Sequence, residues 1–296
     1  MLPTACSKWF SGLKETLAVH RDSESIAHRE ERTLVVALGA SNLSRGMSRL
    51  LQASRCCSSS AVDLVVAAGH GRSYGVNSCI WKRRLPSIIE SGLWRSIDKM
   101  LHGAVSENSP RLAVITDIGN DLLYGFSVEQ IALWIEEVVH RLHQRQFNIV
   151  ITKLPIESIQ SVGPRRFQLL KKFFVPGCQQ SLEEIKEQCR QMNNNIIRLA
   201  KKYQLSIIEQ PGSWYGLDAI HIRRSCLNSL WRRVLECWPL SSSNKKVCQG
   251  TSRWNSLKEW SYLCKASAEV RSLAGVTIFT PQPVLQLSDT TRIFFY

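Results

Sequence analysis

The sequence predicts an α/β domain built on a five-stranded parallel sheet that helices cover on both faces. Three observations support this fold class. Continuous apolar runs of strand length recur along the chain, amphipathic segments separate them, and several runs end at a glycine followed by polar residues. Continuous apolar runs are typical of strands buried on both faces, as in parallel sheets. Five such runs fall between Thr33 and Leu240, so one domain accounts for all of them.

The predicted elements alternate in the order that such a domain requires. In chain order, the five strands are predicted at TLVVAL, VDLVVAA, RLAVITDIG, FNIVITKLP and LSIIEQ. Helices are predicted over Ser44–Ala53, Ser127–Gln146 and Ser181–Tyr203, with serine or asparagine near the start of the first, where caps are favoured. We expect a long basic loop between the fourth strand and the helix that begins at Ser181.

Two segments flank the predicted domain, which spans residues 33–240. Residues 1–32 are polar and mixed in charge, and we interpret them as a helical or loose N-terminal extension. Residues 241–296 form a C-terminal tail with no assigned role. This tail has Trp254, Leu257, Trp260 and Leu263 at near-helical spacing and ends in the apolar IFFY. It could pack on the domain, mediate self-association or be partly disordered.

Charge and hydropathy limit the classes of partner. The formal net charge is +14 and the pI is about 9.5, and a charge this positive makes nucleic acid a candidate partner. The basic pairs are scattered, however, and no zinc finger or aromatic RNA-binding motif accompanies them, so no specific nucleic-acid binding is expected. No apolar segment approaches the roughly 18 residues of a membrane-spanning helix. Lys8 and Lys14 interrupt the apolar residues at the N-terminus, which argues against a secretory signal and favours a cytoplasmic location.

The cysteine pattern does not indicate a metal or redox centre. The chain has 10 cysteines and no C-x-x-C pair, so a zinc site or a reactive dithiol is not predicted and reduced thiols are expected. His140 and His143 share one helix face but lack a further ligand at suitable spacing, and we interpret them as a solvated face. Gly39–Gly46 contains no lysine, which excludes a Walker-type phosphate loop there.

Polar residues follow four of the five predicted strands. In an open parallel sheet, ligands bind beyond the carboxyl ends of the strands. Ser41-Asn42 follows the first strand and the glycines of Gly69–Ser73 follow the second. Asp117–Asp121 follows the third, and a D-x-x-H stretch from Asp218 to His221 follows the fifth. A serine, an asparagine amide and an Asp–His pair are therefore predicted to meet at one rim of the sheet.

These residue types suit nucleophilic acyl transfer. A serine hydroxyl becomes a good nucleophile when a neighbouring base removes its proton, and the base needs a third group to fix its tautomer. Ser41 is the candidate nucleophile, His221 the candidate base and Asp218 its orienting group. The oxyanion of the tetrahedral intermediate is predicted to accept hydrogen bonds from the N–H of Ser41, the N–H of Gly71 and the side-chain amide of Asn120.

The order and spacing of these four blocks resemble the SGNH (GDSL-type) hydrolase family. The blocks are Gly39-x-Ser41, a glycine after the second strand, Gly119-Asn120-Asp121 and Asp218-x-x-His221. The resemblance implies a flavodoxin-like, three-layer α/β/α fold with five parallel strands. It also implies an esterase, lipase, thioesterase or carbohydrate deacetylase that uses no metal or cofactor. The expected substrate is therefore a small-molecule, carbohydrate or lipid ester.

The sequence departs from the family pattern in two places. Ala40 stands where the family usually has aspartate, so the hydrogen bonds of that carboxylate are expected to be missing and the activity to be lowered but not abolished. We choose Gly71 as the oxyanion glycine because Gly71-Arg72-Ser73 resembles the run found in some members, and Gly69 is the alternative.

Four further residues on the predicted rim are candidates for substrate contact: Asn42, His70, Arg72 and Asp121. A structural role for His70 is an equal alternative. Arg72 would favour an acidic substrate group if it lined the cleft, and would otherwise be a solvated surface residue. Asp121 could instead cap the following helix.

The function predicted from the sequence is hydrolysis of carboxylic esters through an acyl-enzyme on Ser41. A non-catalytic SGNH-like module that binds an anionic polymer is the alternative from a different class. Acyl transfer to a hydroxyl acceptor would use the same residues as hydrolysis. The sequence leaves the acyl and alcohol parts of the substrate open, together with the oligomeric state.

Overall fold

The computed structural model describes residues 31–80, 83–103, 105–174, 177–239 and 267–296. The strands are β1 (Arg32–Leu38), β2 (Ala61–Ala67), β3 (Ser78–Ile80), β4 (Arg83–Leu85), β5 (Arg111–Ile115), β6 (Asn148–Thr152), β7 (Ser206–Ile208), β8 (Val270–Leu273), β9 (Val276–Phe279), β10 (Leu285–Gln286) and β11 (Arg292–Phe295). The helices are α1 (Ser41–Cys57), α2 (Leu93–His102), α3 (Asn120–Leu123), α4 (Val128–Gln144), α5 (Ile156–Gln160), α6 (Pro164–Phe174), α7 (Leu182–Tyr203) and α8 (Leu227–Cys237), with a 3₁₀ turn at Gly212–Trp214.

The central sheet contains the five predicted parallel strands in the order β2-β1-β5-β6-β7. This is the flavodoxin-like strand order, so the predicted fold class is confirmed. The sheet is larger than predicted, because β11 adds to it in parallel beside β2 and β10 pairs antiparallel with β11. The central sheet therefore has seven strands among the described residues.

Alternate residues of the central strands point to two separate cores. In β1, Leu34, Val36 and Leu38 belong to one hydrophobic cluster, whereas Val35 and Ala37 belong to the other. Residues of α2, α4 and α7 complete the first cluster, and residues of α1 and α8 complete the second. Both faces of the sheet are thus covered, which explains why these strands appear in the sequence as continuous apolar runs.

The basic segment after β6 is helical, where a long loop was predicted. It contains α5 and α6. Within α6, Phe167 is buried and Leu170 packs beside it against the first core, while Arg165 and Lys172 are exposed. A loop was predicted here because charged residues dominate the segment and only a few apolar residues form the helix face that packs on the core.

Part of the C-terminal tail belongs to the central sheet. Asp63 of β2 is fully buried, and its carboxylate binds Arg32 at 2.7 Å and Arg292 of β11 at 2.6 Å. Two guanidinium groups thus neutralise one buried carboxylate, which fixes β11 against the edge of β2. The predicted helical stretch around Trp254–Leu263 and nearly all of the N-terminal extension lie outside the described residues. The domain boundaries stay a prediction.

A second, smaller sheet has the order β3-β4-β8-β9 and is antiparallel throughout. It joins the segment after β2 to the tail, and the sequence analysis predicted neither of its hairpins. Across the described ranges, no helix is long and apolar enough to cross a membrane.

Candidate active site

The turn between β1 and α1 is built around a close approach of two strands. A Cβ atom on Gly39 would lie 2.7 Å from Cγ2 of Thr116, which follows β5, so only glycine fits without displacing a neighbour. The chain then turns directly into α1, whose first residue is Ser41. Ser41 is 5% exposed and lies at the carboxyl end of the central strand, as the sequence predicted. The first N–H groups of this helix have no acceptor within the helix itself.

Asp117 occupies the space that an N-cap side chain would fill. Its Oδ2 accepts hydrogen bonds from the N–H of Ala40 at 2.8 Å and of Leu43 at 3.1 Å. Its φ angle is +61°, a left-handed conformation that aspartate tolerates better than most residues and that is found at strained functional turns. A carboxylate at this end of α1 also complements the helix dipole. Ala40 itself makes no side-chain cap, and the carboxylate at this end of α1 comes from Asp117, which follows β5.

Asn42 links the turn between β1 and α1 to the main chain on both sides of His221. Its Nδ2 donates to Oδ1 of Asp117 at 2.9 Å and to the carbonyl of Ile220 at 3.1 Å, and its Oδ1 accepts from the N–H of Ile222 at 2.8 Å. Asn42 is 6% exposed, so these bonds are shielded from water. Because Asn42 is adjacent to Ser41, this clamp holds the His221 segment beside the Ser41 turn.

Asp218 and His221 form a hydrogen-bonded pair. Oδ2 of Asp218 lies 2.8 Å from Nδ1 of His221, and Oδ1 accepts from the N–H groups of Ile220 and His221 at 3.2 and 3.0 Å. Burial acts to raise the pKa of Asp218, but the hydrogen bonds from His221 and Ile220 outweigh it and hold the pKa below its usual range. Asp218 is therefore ionised near neutral pH. An ionised acceptor requires the proton on Nδ1, which leaves Nε2 of His221 as the basic nitrogen.

Asn120 and Gly71 lie on loops that follow β5 and β2. The side-chain nitrogen of Asn120 is buried and has no hydrogen-bond partner among the described residues. Burying an amide donor without a hydrogen-bond partner costs folding free energy. Such unpartnered donors recur at sites that bind a ligand or a reaction intermediate. Gly71 has φ +64°, and its carbonyl accepts a hydrogen bond from the Tyr124 hydroxyl at 2.5 Å. The assignment of Gly71 as the oxyanion glycine, in preference to Gly69, stays a prediction.

Asp121 supports the loop after β2 from within the protein. The residue is fully buried, and its Oδ2 accepts from the N–H of Tyr74 at 3.0 Å. The hydroxyl of Tyr74 in turn donates toward the carbonyls of Leu38 and Thr116, at the ends of β1 and β5. Burial raises the pKa of Asp121 to about 6, although hydrogen bonds from Ser73 and Tyr74 act in the opposite direction. This geometry favours a structural role for Asp121 over substrate contact.

We expect Asp121→Asn to change how stability depends on pH. Because the folded-state pKa is raised above the ordinary value of 3.8, Asp121 favours folding most below pH 4, and this contribution is lost as the pH rises through about 6. The rise in pKa from 3.8 to about 6 is equivalent to about 3 kcal/mol of unfolding free energy. Urea unfolding at pH 4.5 and pH 7.5 captures about 2 kcal/mol of this difference, and the variant should lose less stability between the two pH values than the wild type.

Asp98→Asn is the matched control for this experiment. The Arg145 side chain holds the pKa of Asp98 below its usual range, so its stabilising contribution lies at higher pH and is lost on acidification. Because this loss occurs below about pH 4, Asp98→Asn should leave the change in stability between pH 4.5 and pH 7.5 as it is in the wild type. An Asp121→Asn slope identical to that of the wild type would contradict the burial argument.

The remaining rim candidates lie in different environments. His70 is exposed on the loop after β2. Arg72 is fully buried, and its guanidinium donates to the main-chain oxygens of Pro86 and Tyr296. We therefore leave Arg72 out of the proposed substrate contacts, because a guanidinium directed at carbonyl groups inside the protein cannot meet an acidic ligand group. The sequence shows that Arg72 follows a strand but not which carbonyls surround it.

Asp117 is the site residue to which the sequence analysis assigned no role. Its signal was its place directly after a strand, at the same rim as the residues that were assigned. Within the described ranges, no three His, Cys, Asp or Glu side chains cluster as a metal site would require. His140 and His143 instead pack edge-on against the ring of Tyr203.

Comparisons with known proteins gave matches among solved structures. No protein-family model matches the chain, and no curated protein matches it. Solved structures similar to it include the psychrotrophic esterase EstA from Pseudoalteromonas sp., with 15% identity and a TM-score of 0.40, covering 77% of this chain and 98% of the other. They also include TesA, with 14% identity and a TM-score of 0.40, covering 77% and 99%. A third is AlinE4, with 15% identity and a TM-score of 0.35, covering 60% and 76%.

AlinE4 is described as an SGNH-hydrolase family esterase. The structural neighbours thus include the family that the motifs resemble. At 14–15% identity, the chemistry of this chain has to be argued from its own site.

Proposed function

We propose that the protein is a serine hydrolase that cleaves carboxylic esters through Ser41, His221 and Asp218. The observation that carries the proposal is the Asn42 clamp, which ties the residue next to Ser41 to the main chain on both sides of His221. A nucleophile and a base from turns 180 residues apart are thereby held together, and the base is already oriented by Asp218.

In this mechanism the Ser41 hydroxyl attacks the ester carbonyl while Nε2 of His221 takes the hydroxyl proton. The resulting oxyanion accepts hydrogen bonds from the Asn120 amide and from main-chain N–H groups of Ser41 and Gly71. His221 then returns its proton to the leaving alcohol, and an acyl-enzyme forms on Ser41. A water molecule, deprotonated by His221, attacks the acyl-enzyme, and His221 returns the proton to Oγ of Ser41 as the acid leaves. Asp218 stabilises the imidazolium that exists in both steps.

Covalent labelling with a fluorophosphonate tests the nucleophile without requiring the substrate. The folded wild type should be modified at Ser41, and the His221→Ala variant should be modified far more slowly, because the hydroxyl then lacks its base. Mass-spectrometric mapping identifies the labelled residue. Ser44→Ala is a matched control: the Ser44 hydroxyl donates to the carbonyl of Ala40 one turn along the same helix, so labelling should be unchanged. An unmodified Ser41 in folded protein would favour the non-catalytic binding module instead.

A further inference from the structure

A cavity of about 120 Å³ begins among the proposed catalytic groups and continues between the helices that follow β6. Asn42, Asn120 and Asp218 form part of its lining. The rest includes buried residues from α6, α7 and the segments beside them: Val162, Phe167, Cys178, Leu182, Ile185 and Cys189. One space therefore extends from Asn120 and Asp218 to an apolar chamber.

The wall of the chamber holds two lysines, and both amines are hydrogen-bonded within the protein. Lys153 lies in the wall, but its amine binds Glu209 at 2.7 Å. Lys171 also lies in the wall, and its amine donates to the carbonyl of Gln180 at 3.1 Å. Burial raises the pKa of the Cys189 thiol to about 12, so this side chain stays neutral and acts as a small hydrophobe. The buried side chains between α6 and α7 are apolar or neutral, so this part of the wall favours an apolar ligand group.

Protein interiors rarely retain empty space of this size. Cores pack as densely as organic crystals and have few voids larger than a water molecule. An apolar cavity of about 150 Å³ in another protein stays dry and takes up benzene, so a volume near 120 Å³ corresponds to about six carbon atoms. Water gains little in such a chamber, because the apolar walls provide few of the two to four polar partners that a buried water needs.

We propose that this chamber binds the acyl chain of the substrate and that the substrates are esters of medium-chain carboxylic acids. The carbonyl lies beside Asn120, and the chain runs from there toward α6 and α7 in a cavity whose whole volume holds about six carbon atoms. Turnover of such esters rests on the proposed function, but binding of the chain does not.

Binding to the Ser41→Ala variant tests the chamber without catalysis. Calorimetric titration with acetate, butanoate, hexanoate, octanoate and dodecanoate should show the affinity rising about fourfold per added methylene while the chamber fills. The gain should stop once about six carbons are accommodated. An affinity that does not depend on chain length would overturn the proposal. Chain-length-dependent binding without any ester hydrolysis by the wild type would instead contradict only the proposed function.

Substitutions at Cys189 test the same chamber in the active protein. Cys189→Phe fills the space, so kcat/KM for 4-nitrophenyl octanoate should fall at least tenfold more than the value for the acetate ester. Cys189→Ala enlarges the space and should keep or lengthen the preferred chain. If the phenylalanine variant does not fold, the alanine variant and the titration series still test whether the chamber binds the acyl chain. Equal losses on the acetate and octanoate esters in a folded Cys189→Phe variant would overturn the proposal.

Discussion

Replacing Ser41 with alanine should lower kcat/KM for carboxylic esters by roughly 10⁶-fold, as found when a serine nucleophile is removed. The methyl group of alanine fits the 5% exposed position, so the free energy of unfolding should barely change. Steady-state kinetics with circular dichroism and a thermal melt measure both quantities. The combination of lost turnover and an unchanged fold identifies a chemical role for the hydroxyl.

The His221→Ala variant and the double variant make this test sharper. Residues that act as one unit are strongly non-additive, so removal of both should cost about as much as removal of either alone. Ser44→Ala, in the same helix, should keep wild-type kinetics. Appreciable turnover in purified Ser41→Ala protein, or additive losses in the double variant, would contradict the assignment of Ser41 and His221 to one reaction.

Asn120→Ala should lower kcat by about 10²- to 10³-fold with little change in KM, because an oxyanion donor acts mainly in the transition state. The side-chain nitrogen is buried and unpartnered among the described residues, so its removal breaks no hydrogen bond in the resting protein. Stability should therefore be kept or improved. A purely structural role predicts the opposite, namely lower stability with kcat preserved.

Asn194→Ala is the matched control for Asn120→Ala. Asn194 is an exposed asparagine on α7, and its loss should leave both kinetics and stability unchanged. An Asn120→Ala variant that retains full kcat would remove the side-chain amide from the proposed oxyanion hole. The main-chain donors would then have to stabilise the charge without it.

The framework of the fold was predictable from local patterns. The run from Leu34 to Leu38 is buried on both faces, and its apolar continuity revealed this directly. Helix α7 begins with a capping box from Ser181 to Glu184, a signal contained within four residues. Ser41, Asn120 and His221 could be proposed because a parallel sheet gathers the carboxyl ends of its strands at one edge.

Other features depend on contacts between distant segments. Asp117 takes over a capping position from the end of another strand, 77 residues from Ala40, and no local pattern indicates which N–H groups it meets. The chamber between α6 and α7 could not be predicted, because it depends on how two helices pack and a loop was predicted in place of α6. The burial of Arg72 likewise follows from the approach of Tyr296, which is 224 residues away.

The pairing of β11 with β2 has a consequence for synthesis of the chain on the ribosome. Asp63 acquires its second arginine only when Arg292 arrives, 229 residues later, and until then one edge of β2 is open. Such long-range pairing is slow, because the loop must close before its contacts form. An open edge beside a buried carboxylate is also a template for wrong pairing. This edge of β2 is therefore covered only after β11 has been translated.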